Sequence, residues 1–251
     1  MTEMIIIYDF DGTLTPYPFP KFKILEKAGL LDGASNPKFL EMAKKKASQE
    51  NLEFWEAIYE VYFKIIKEAN LELVDNNFCL GADEITYNKG VTDFLRFFQE
   101  HHTNNYLISS GLKVYLEKTK VSKYFKKIYA TTLYYNEKKE FTKIRYLMSN
   151  KKKVEAIKEI IKENKTCKNI IYIGDGLSDY DAMKYIKENG GTSILLYHNQ
   201  KDPSIKELTD KGVTNFVTKA DFSLDRELFQ YVKKLYTNSK KEDKINNGGI
   251  L

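Results

Sequence analysis

The sequence has few residues of the kinds that form disulfides or bind zinc. Its 251 residues include only two cysteines, Cys79 and Cys167, which lie far apart and form no Cys-x-x-Cys pair. The three histidines, His101, His102 and His198, are not spaced as metal ligands. These absences exclude a disulfide framework and a structural zinc site, so we expect all five residues to be structural or to lie on the surface.

Long hydrophobic runs are also missing. No apolar stretch approaches the roughly eighteen residues that are needed to cross a bilayer. Residues 1–4 lead directly into an apolar segment and do not have the pattern of a secretory signal. We therefore expect a cytoplasmic protein with no membrane partner. Its apolar content of 42% is sufficient for one large core and a modest second domain.

Arginine is scarce in a chain that is nevertheless basic. The net charge is +5, but the only arginines are Arg96, Arg145 and Arg226, and lysines are interleaved with glutamates over residues 153–165. Proteins that read base edges in nucleic acids depend on arginine side chains. We therefore expect a solvated surface and no nucleic-acid partner, with the positive charge helping to attract anionic substrates.

Residues 5–15 carry the strongest functional signal that is present. An apolar run ends in Asp9 and Asp11, and Gly12 follows. Residues two apart on an extended chain point to the same side, and glycine permits a tight turn, so both carboxylates can reach one ligand. Carboxylates this close repel each other unless a cation lies between them, and Mg²⁺ is the usual one.

Two ordinary alternatives exist for this segment, because Asp-x-Asp-Gly also occurs in turns and in calcium-binding loops. A calcium loop needs a preceding helix, a glycine at its sixth position and a glutamate at its twelfth. Here the sixth position is Leu14 and the twelfth is Pro20, which excludes the calcium loop. The choice between a turn and a catalytic site depends on the rest of the chain.

A second apolar run leads into a similar acidic segment. Residues 169–173 form a largely apolar run that is followed by glycines and acids, with Asp175 among them. In a parallel sheet the carboxyl ends of both runs lie at the same edge, where open α/β folds bind their ligands. We therefore expect Asp175 to join Asp9 and Asp11 around a metal.

Four motifs, in this order, resemble those of the haloacid dehalogenase superfamily, phosphohydrolases with an aspartate nucleophile. They are Asp9-x-Asp11-Gly12-Thr13-Leu14-Thr15, the apolar residues 106–108 ending in Ser109-Ser110-Gly111, Lys153 at the start of a helix, and Gly174-Asp175-Gly176-x-x-Asp179. The match covers residues 1–15 and about 90–220. The last motif, together with an early helical insertion, looks like the phosphoserine phosphatase branch.

The resemblance implies that Asp9 and Asp11 are catalytic. Asp9 would attack phosphorus and form an aspartyl-phosphate, and Asp11 would protonate the leaving alcohol and then deprotonate the hydrolytic water. Mg²⁺ is the implied cofactor, held by Asp9, by the backbone carbonyl of Asp11 and by Asp175. The implied partner is a small phosphorylated metabolite.

The resemblance also implies residues that hold the phosphate. Ser109, the N–H of Gly111 and Lys153 would bind its oxygens, aided by the helix predicted after Gly111, and Asp179 would orient Lys153 or waters. Each has an alternative role. Ser109 and Asp179 could cap helices, and a one-residue shift would put Lys152 in the place of Lys153.

The alternation of apolar and helical segments predicts an α/β fold with a Rossmann-like, doubly wound parallel sheet. Strands are predicted near residues 4–9, 105–109, 127–131, 169–173, 193–197 and 216–217, and core helices near 91–101, 112–121, 151–164, 179–188, 203–211 and 224–235. We expect the core to comprise residues 1–15 and 89–237. Residues 238–251, rich in Lys, Asn and Gly, are expected to form a flexible tail.

Residues 16–88 have a helical composition, and Leu52, Trp55, Ile58 and Tyr59 begin an apolar stripe. In the superfamily an insertion after the first strand resembles a helical cap, which closes over the site and selects the leaving group. This segment contains no arginine, whereas the phosphoserine phosphatase cap uses one to bind the amino acid. Phosphoserine is therefore not the favoured substrate.

The sequence favours a phosphatase but leaves two other functions open. A phosphotransferase or phosphomutase would use the same intermediate and pass the phosphoryl group to a second alcohol. A catalytically silent module would bind a partner through the cap, although it would not need the intact acidic residues and lysine of the motifs. The substrate and the oligomeric state are not defined by the sequence.

Overall fold

A seven-stranded sheet forms the centre of the protein. The computed structural model describes residues 4–247, with side chains described for residues 4–240. The strands are β1 Ile5–Tyr8, β2 Asn104–Leu112, β3 Lys127–Tyr135, β4 Phe141–Tyr146, β5 Ile170–Gly174, β6 Thr192–Tyr197 and β7 Phe216–Lys219. Their order is β4-β3-β2-β1-β5-β6-β7, and all neighbours are parallel except β3 and β4. The predicted α/β fold with a Rossmann-like sheet is confirmed.

The central position of β1 follows from its apolar side chains on both faces. Ile6 and Tyr8 pack into one hydrophobic cluster, and Ile5 and Ile7 into a second one. A parallel strand covered on both faces has a continuous apolar sequence, as β1 does. The carboxyl end of β1 is therefore held between β2 and β5.

The described residues form ten α-helices. They are α1 Lys23–Lys27, α2 Pro37–Glu50, α3 Phe54–Glu68, α4 Asp75–Phe78, α5 Val91–Glu100, α6 Lys113–Leu116, α7 Asn150–Glu163, α8 Tyr180–Glu188, α9 Pro203–Asp210 and α10 Glu227–Asn247. The helix predicted over 112–121 is reduced to α6. The hydroxyl of Thr119 donates to the carbonyl of Leu116 at 2.7 Å, a local bond that competes with helix continuation.

The sheet departs from the prediction in a hairpin formed by β3 and β4. No strand was predicted over residues 132–146. Strand β3 instead continues to Tyr135, and the side chain of Asn136 accepts the N–H groups of Lys138 at 3.0 Å and Glu140 at 2.9 Å in the turn that follows. Because β4 is antiparallel to β3, the sheet is mostly rather than entirely parallel.

Residues 16–88 contain α1 to α4 and pack against the core through apolar side chains. Most of their buried apolar residues belong to the same hydrophobic cluster as Ile6 and Tyr8. Phe63 of α3 stacks on Phe141 of β4, with ring centroids 3.9 Å apart. This aromatic contact stabilises the packing of the helical insertion against the β3–β4 hairpin of the core.

The two ends of the insertion lie side by side. The buried side chain of Asn88 donates to the carbonyls of Thr13 at 2.7 Å and Thr15 at 3.2 Å, and its backbone N–H donates to Leu14 at 2.8 Å. These bonds join the predicted end of the insertion to the residues just before its predicted start. The division into a core and a cap at residues 16–88 stays a prediction.

The last helix is longer than predicted. Helix α10 continues to Asn247, so residues 238–247 of the expected flexible tail are helical, and residues 248–251 lie outside the described residues. Lysine is a good helix former, and Tyr236 anchors the helix by donating to the carbonyl of His101 at 3.1 Å. Among the described helices, none combines the length and the hydropathy required to cross a membrane.

Candidate active site

The carboxyl ends of β1 and β5 bring acidic residues together. The N–H of Asp9 donates to the carbonyl of Ile173 at 3.0 Å, which extends the pairing of these strands past the end of β1. Asp9, Asp175 and Asp179 offer carboxylate oxygens that all lie within 4.8 Å of one another. This cluster is at the sheet edge where doubly wound folds bind ligands.

Lys153 is the buried cation of the acidic cluster. Its Nζ lies 3.1 Å from Asp9 Oδ1 and donates to Asp179 Oδ1 at 2.7 Å, and the residue is 1% exposed. Lys152 instead lies at the surface and pairs with Glu155 at 2.8 Å. Of the two lysines that the sequence left open, Lys153 is therefore the one in contact with the cluster.

Asp179 is held by three donors. Its Oδ1 accepts from Lys153 and, at 2.6 Å, from the hydroxyl of Tyr172, and its Oδ2 accepts the N–H of Asp175 at 3.0 Å. With both oxygens engaged, Asp179 is suited to orienting Lys153 rather than to binding a ligand directly. Sequence analysis missed Tyr172, although a hydroxyl in an otherwise aliphatic strand is a signal that could have identified it.

Asp175 lies directly against the turn that follows Asp11. Its Oδ1 accepts the hydroxyl of Thr13 at 3.1 Å, and a Cβ at Gly12 would lie 2.1 Å from its Oδ2. Gly12 also has a φ of +77°, which favours glycine. Only a residue without a side chain therefore allows the carboxyl of Asp175 to approach the first motif this closely.

The end of β2 places Ser109 and Gly111 beside Asp11. The pairing of β2 with β3 shifts between Ser109 and Leu112, and the N–H of Gly111 donates to Ser109 Oγ at 3.0 Å. A Cβ at Gly111 would lie 3.9 Å from Asp11 Oδ2. The helix expected to direct its N-terminus here is the single turn α6, so this segment offers hydroxyl and backbone donors instead.

Two further residues that sequence analysis missed contact these loops. Tyr59 of α3 donates its buried hydroxyl to the carbonyl of Ser110 at 2.6 Å. His198 Nε2 lies 2.6 Å from the carbonyl of Gly12. The sequence placed Tyr59 in an apolar stripe and His198 among structural or surface residues, and no motif in the sequence connects either residue with its partner.

Burial changes the charge states within the site. Loss of water raises the pKa of Asp9 to about 7, although Lys153 opposes the shift. Burial and then the charge of Asp9 raise the pKa of Asp11, and burial also raises the pKa of Asp175. Burial alone would lower the pKa of Lys153, but the charges of Asp179 and Asp9 raise it.

The donor set fits a hard divalent cation. One lysine faces four carboxyl groups, and the pKa values of Asp9, Asp11 and Asp175 are raised because burial and the neighbouring carboxyls outweigh the charge of Lys153. A divalent cation would offset that charge, and carboxylate and carbonyl oxygens are the ligands that Mg²⁺ prefers. Asp9, Asp175 and the backbone carbonyl of Asp11 are the residues that could hold it.

Several solved structures have a fold similar to that of this chain. A phosphoserine phosphatase with bound substrate has a TM-score of 0.63 at 17% identity, and the alignment covers 91% of this chain and 97% of that one. Cytosolic 5'-nucleotidase IIIB bound to cytidine also has a TM-score of 0.63, at 15% identity, with 98% and 88% covered. A haloacid dehalogenase family hydrolase from Salmonella enterica serovar Typhi has a TM-score of 0.60 at 18% identity, with 82% and 65% covered.

The sequence comparisons define the family. No curated protein has a matching sequence. Residues 6–184 match the haloacid dehalogenase-like hydrolase family, and this span includes all four motifs and the helical insertion. Together with the fold, this match confirms the resemblance drawn from the motifs. The chain belongs to the haloacid dehalogenase-like hydrolase family.

Proposed function

We propose that the protein is a Mg²⁺-dependent phosphatase that hydrolyses a small phosphomonoester through an aspartyl-phosphate on Asp9. The proposal rests on one observation, which is that the carboxyl groups of Asp9 and Asp11 lie in different environments. Asp9 pairs with the buried ammonium of Lys153, whereas Asp11 has no ion pair within residues 4–240 and borders a cavity. Acids held in different environments are typical of a nucleophile and a proton donor.

In the first step the carboxylate of Asp9 attacks phosphorus, and the bond between phosphorus and the leaving oxygen breaks. Lys153 favours the ionised form of Asp9, as a nucleophile requires. The raised pKa of Asp11 favours its protonated form, so it can give a proton to the leaving oxygen. In the second step water attacks the phosphorus of the aspartyl-phosphate and Asp11 takes the proton of that water. The bond between phosphorus and the Asp9 oxygen breaks, which releases inorganic phosphate and restores the carboxylate of Asp9.

The remaining residues would bind the phosphate and position the reacting groups. Ser109 Oγ and the ammonium of Lys153 would donate to phosphoryl oxygens. The N–H of Gly111 would do so by exchanging its hydrogen bond to Ser109 Oγ for one to the phosphate. Asp179 fixes Lys153. Mg²⁺ would add positive charge where the phosphate and the carboxylates meet. A cytoplasmic location and a small phosphorylated metabolite as substrate belong to the same proposal.

The proposal is tested by measuring phosphate release from p-nitrophenyl phosphate with Mg²⁺ and with EDTA. We expect release with Mg²⁺ only, and a decrease in kcat of roughly 10³-fold or more in Asp9→Asn, because the amide is not a nucleophile. Asp181→Asn is the matched control, since it makes the same change at an exposed position. Unchanged turnover in Asp9→Asn would refute the proposal.

A further inference from the structure

A small cavity adjoins the proposed proton donor. It has a volume of about 190 Å³, and Asp11 lines it together with the buried side chains of Phe10 and Tyr115. Its other walls come from the start of the insertion and from the segment that returns to the core, including Lys21, Lys23 and Glu84. If Asp11 protonates the leaving oxygen, the rest of the leaving alcohol must occupy this cavity. The inference therefore rests on the proposed function.

One of the two lysines in the cavity is already neutralised. Lys23 pairs with Glu84, and its side chain crosses Gly81, where a Cβ would lie 2.5 Å from Lys23 Cδ. Glu26 also lines the cavity, and its charge acts on Lys23, where it contributes to the raised pKa of that ammonium. The carboxylates of Glu26 and Glu84 in the cavity wall therefore both act on Lys23.

Lys21 has no such partner. Its Nζ lies over the ring of Tyr17, 3.9 Å from the ring centroid, and within residues 4–240 it forms no ion pair. A cation held by an aromatic face gains less than one paired with an anion by a charge-assisted hydrogen bond. Lys21 is therefore a cation at the cavity wall that can interact more strongly with an anionic ligand than it does with Tyr17.

The size of the cavity limits the ligand. Pockets for drug-sized molecules occupy about 300–1,000 Å³, and this cavity is smaller. An alcohol of a few carbon atoms fits that volume better than a nucleoside does. Tyr17, Phe19 and Tyr115 offer apolar surface for the carbon chain.

We propose that the substrate is the phosphomonoester of a small alcohol that carries a carboxylate, and that Lys21 is the residue that selects for this second negative charge. The phosphate would lie at Asp9 and Lys153 and the carboxylate at Lys21, with the leaving oxygen next to Asp11. The same arrangement disfavours a neutral alcohol of equal size, because it leaves the ammonium of Lys21 without an anion.

The test compares phosphate esters that differ at one group. In 3-phosphoglycerate a carboxylate replaces the terminal CH₂OH of glycerol 3-phosphate, and in O-phosphoserine an ammonium replaces the 2-hydroxyl of 3-phosphoglycerate. We expect kcat/KM to be higher for 3-phosphoglycerate than for glycerol 3-phosphate by about tenfold or more, the value of one charged hydrogen bond. Lys21→Met should bring the ratio close to one, and Lys21→Arg should restore it.

Lys27→Met is the matched control, because it removes the same charge from the same segment at an exposed position outside the cavity. It should leave the ratio unchanged. The inference is overturned if the wild-type ratio is close to one, or if Lys21→Met lowers turnover of both esters equally. O-phosphoserine carries the same carboxylate, so its turnover should depend on Lys21 in the same way. A preference of about tenfold for cytidine 5'-monophosphate over 3-phosphoglycerate also overturns the inference.

Binding distinguishes failure of the inference from failure of the proposed function. Calorimetric titration of Asp9→Asn with the two three-carbon esters, with and without Lys21→Met, measures selection in the absence of turnover. Tighter binding of 3-phosphoglycerate that depends on Lys21 supports the inference even if no ester is hydrolysed by the wild type. Equal binding of both esters overturns the inference even if p-nitrophenyl phosphate is hydrolysed.

Discussion

At the scale of single residues, Lys153 connects the candidate nucleophile with Asp179. We predict that Lys153→Met abolishes activity and lowers the free energy of unfolding by roughly 3–5 kcal/mol, because it leaves two buried carboxyls without their cation. Lys152→Met, one residue away, removes an exposed pair with Glu155 and a distant contact with the ring of Tyr146, and should change little. Urea unfolding of both variants checks this, and equal destabilisation would contradict it.

The glycines on either side of Asp175 are predicted to tolerate alanine differently. A Cβ at Gly174 would lie 2.4 Å from Asp179 Oδ2, whereas a Cβ at Gly176 would meet nothing within 4 Å, and the φ of Gly176, −160°, suits any residue. We expect Gly174→Ala to displace Asp179, destabilise the fold by about 1–3 kcal/mol and lower kcat. Gly176→Ala should retain stability. Thermal melts and kinetics of the two variants test this prediction. If Gly176→Ala were the less stable variant, the clash at Gly174 would be relieved in some other way.

Two acidic residues of the site, Asp9 and Asp175, could be predicted from the sequence because each directly follows an apolar strand. The carboxyl ends of parallel strands lie at the same edge of the sheet. A correct assignment of the strands was therefore sufficient to place Asp9 and Asp175 close together. The choice between Lys152 and Lys153 could not be made, because consecutive helical residues point about 100° apart and only the packing of α7 determines which one is buried. The contact of Tyr59 with Ser110 likewise depends on how α3 packs.

At the scale of elements, α3 of the insertion is joined to the core by a buried hydroxyl. Tyr59 donates to Ser110, beside the proposed phosphate ligand Ser109, whereas the buried hydroxyl of Tyr62, also on α3, has no hydrogen-bond partner among the described residues. We predict that Tyr59→Phe costs about 1 kcal/mol and raises KM, since the loop that includes Ser109 loses a support.

Tyr62→Phe is the control for that variant. It removes an unsatisfied buried hydroxyl, so stability should stay the same or increase, and KM should not change. The two measurements are urea unfolding and phosphatase kinetics with one substrate. If both variants lose the same stability, then the hydrogen bond of Tyr59 does not join the helix to the loop.

The elements themselves were predictable to different degrees. Buried parallel strands such as β1 and β5 have continuous apolar sequences between turn residues, which identifies them without a structure. Strand β4 is half-exposed and carries Lys143 and Arg145, so its sequence has the polarity of a loop. It forms a strand because Asn136 closes the turn and because Phe141 packs on Phe63, and the second of these contacts is visible only in three dimensions.

At the scale of the whole molecule, the buried and half-buried acids of the site make stability depend on pH. The pKa of Asp9 is raised to about 7, and those of Asp11 and Asp175 are also raised. Between the ordinary carboxyl pKa of about 4 and these values, the folded protein binds more protons than the unfolded chain. The free energy of unfolding therefore falls as pH rises through this range.

We expect the urea midpoint in EDTA to decrease between about pH 5 and pH 8. Mg²⁺ should raise the midpoint more at the higher pH, because it favours the ionised carboxylates that burial disfavours. Asp175→Asn should make the dependence in EDTA less steep, since the amide does not titrate while Asp9 and Asp11 still do. A midpoint that is constant or increases with pH in EDTA would contradict the assignment of these acids as buried and insufficiently compensated.

The aromatic wall of the cavity has a practical consequence. Trp55 is the only tryptophan of the chain, and its ring centroid lies 6.1 Å from that of Phe19, which lines the cavity. Indole emission responds to the polarity and mobility of its surroundings. Because Phe19 separates Trp55 from the cavity, the emission of Trp55 can report on the place where the leaving group would lie. Stopped-flow fluorescence of the unlabelled protein can therefore record the entry of a substrate and the departure of its alcohol as separate events.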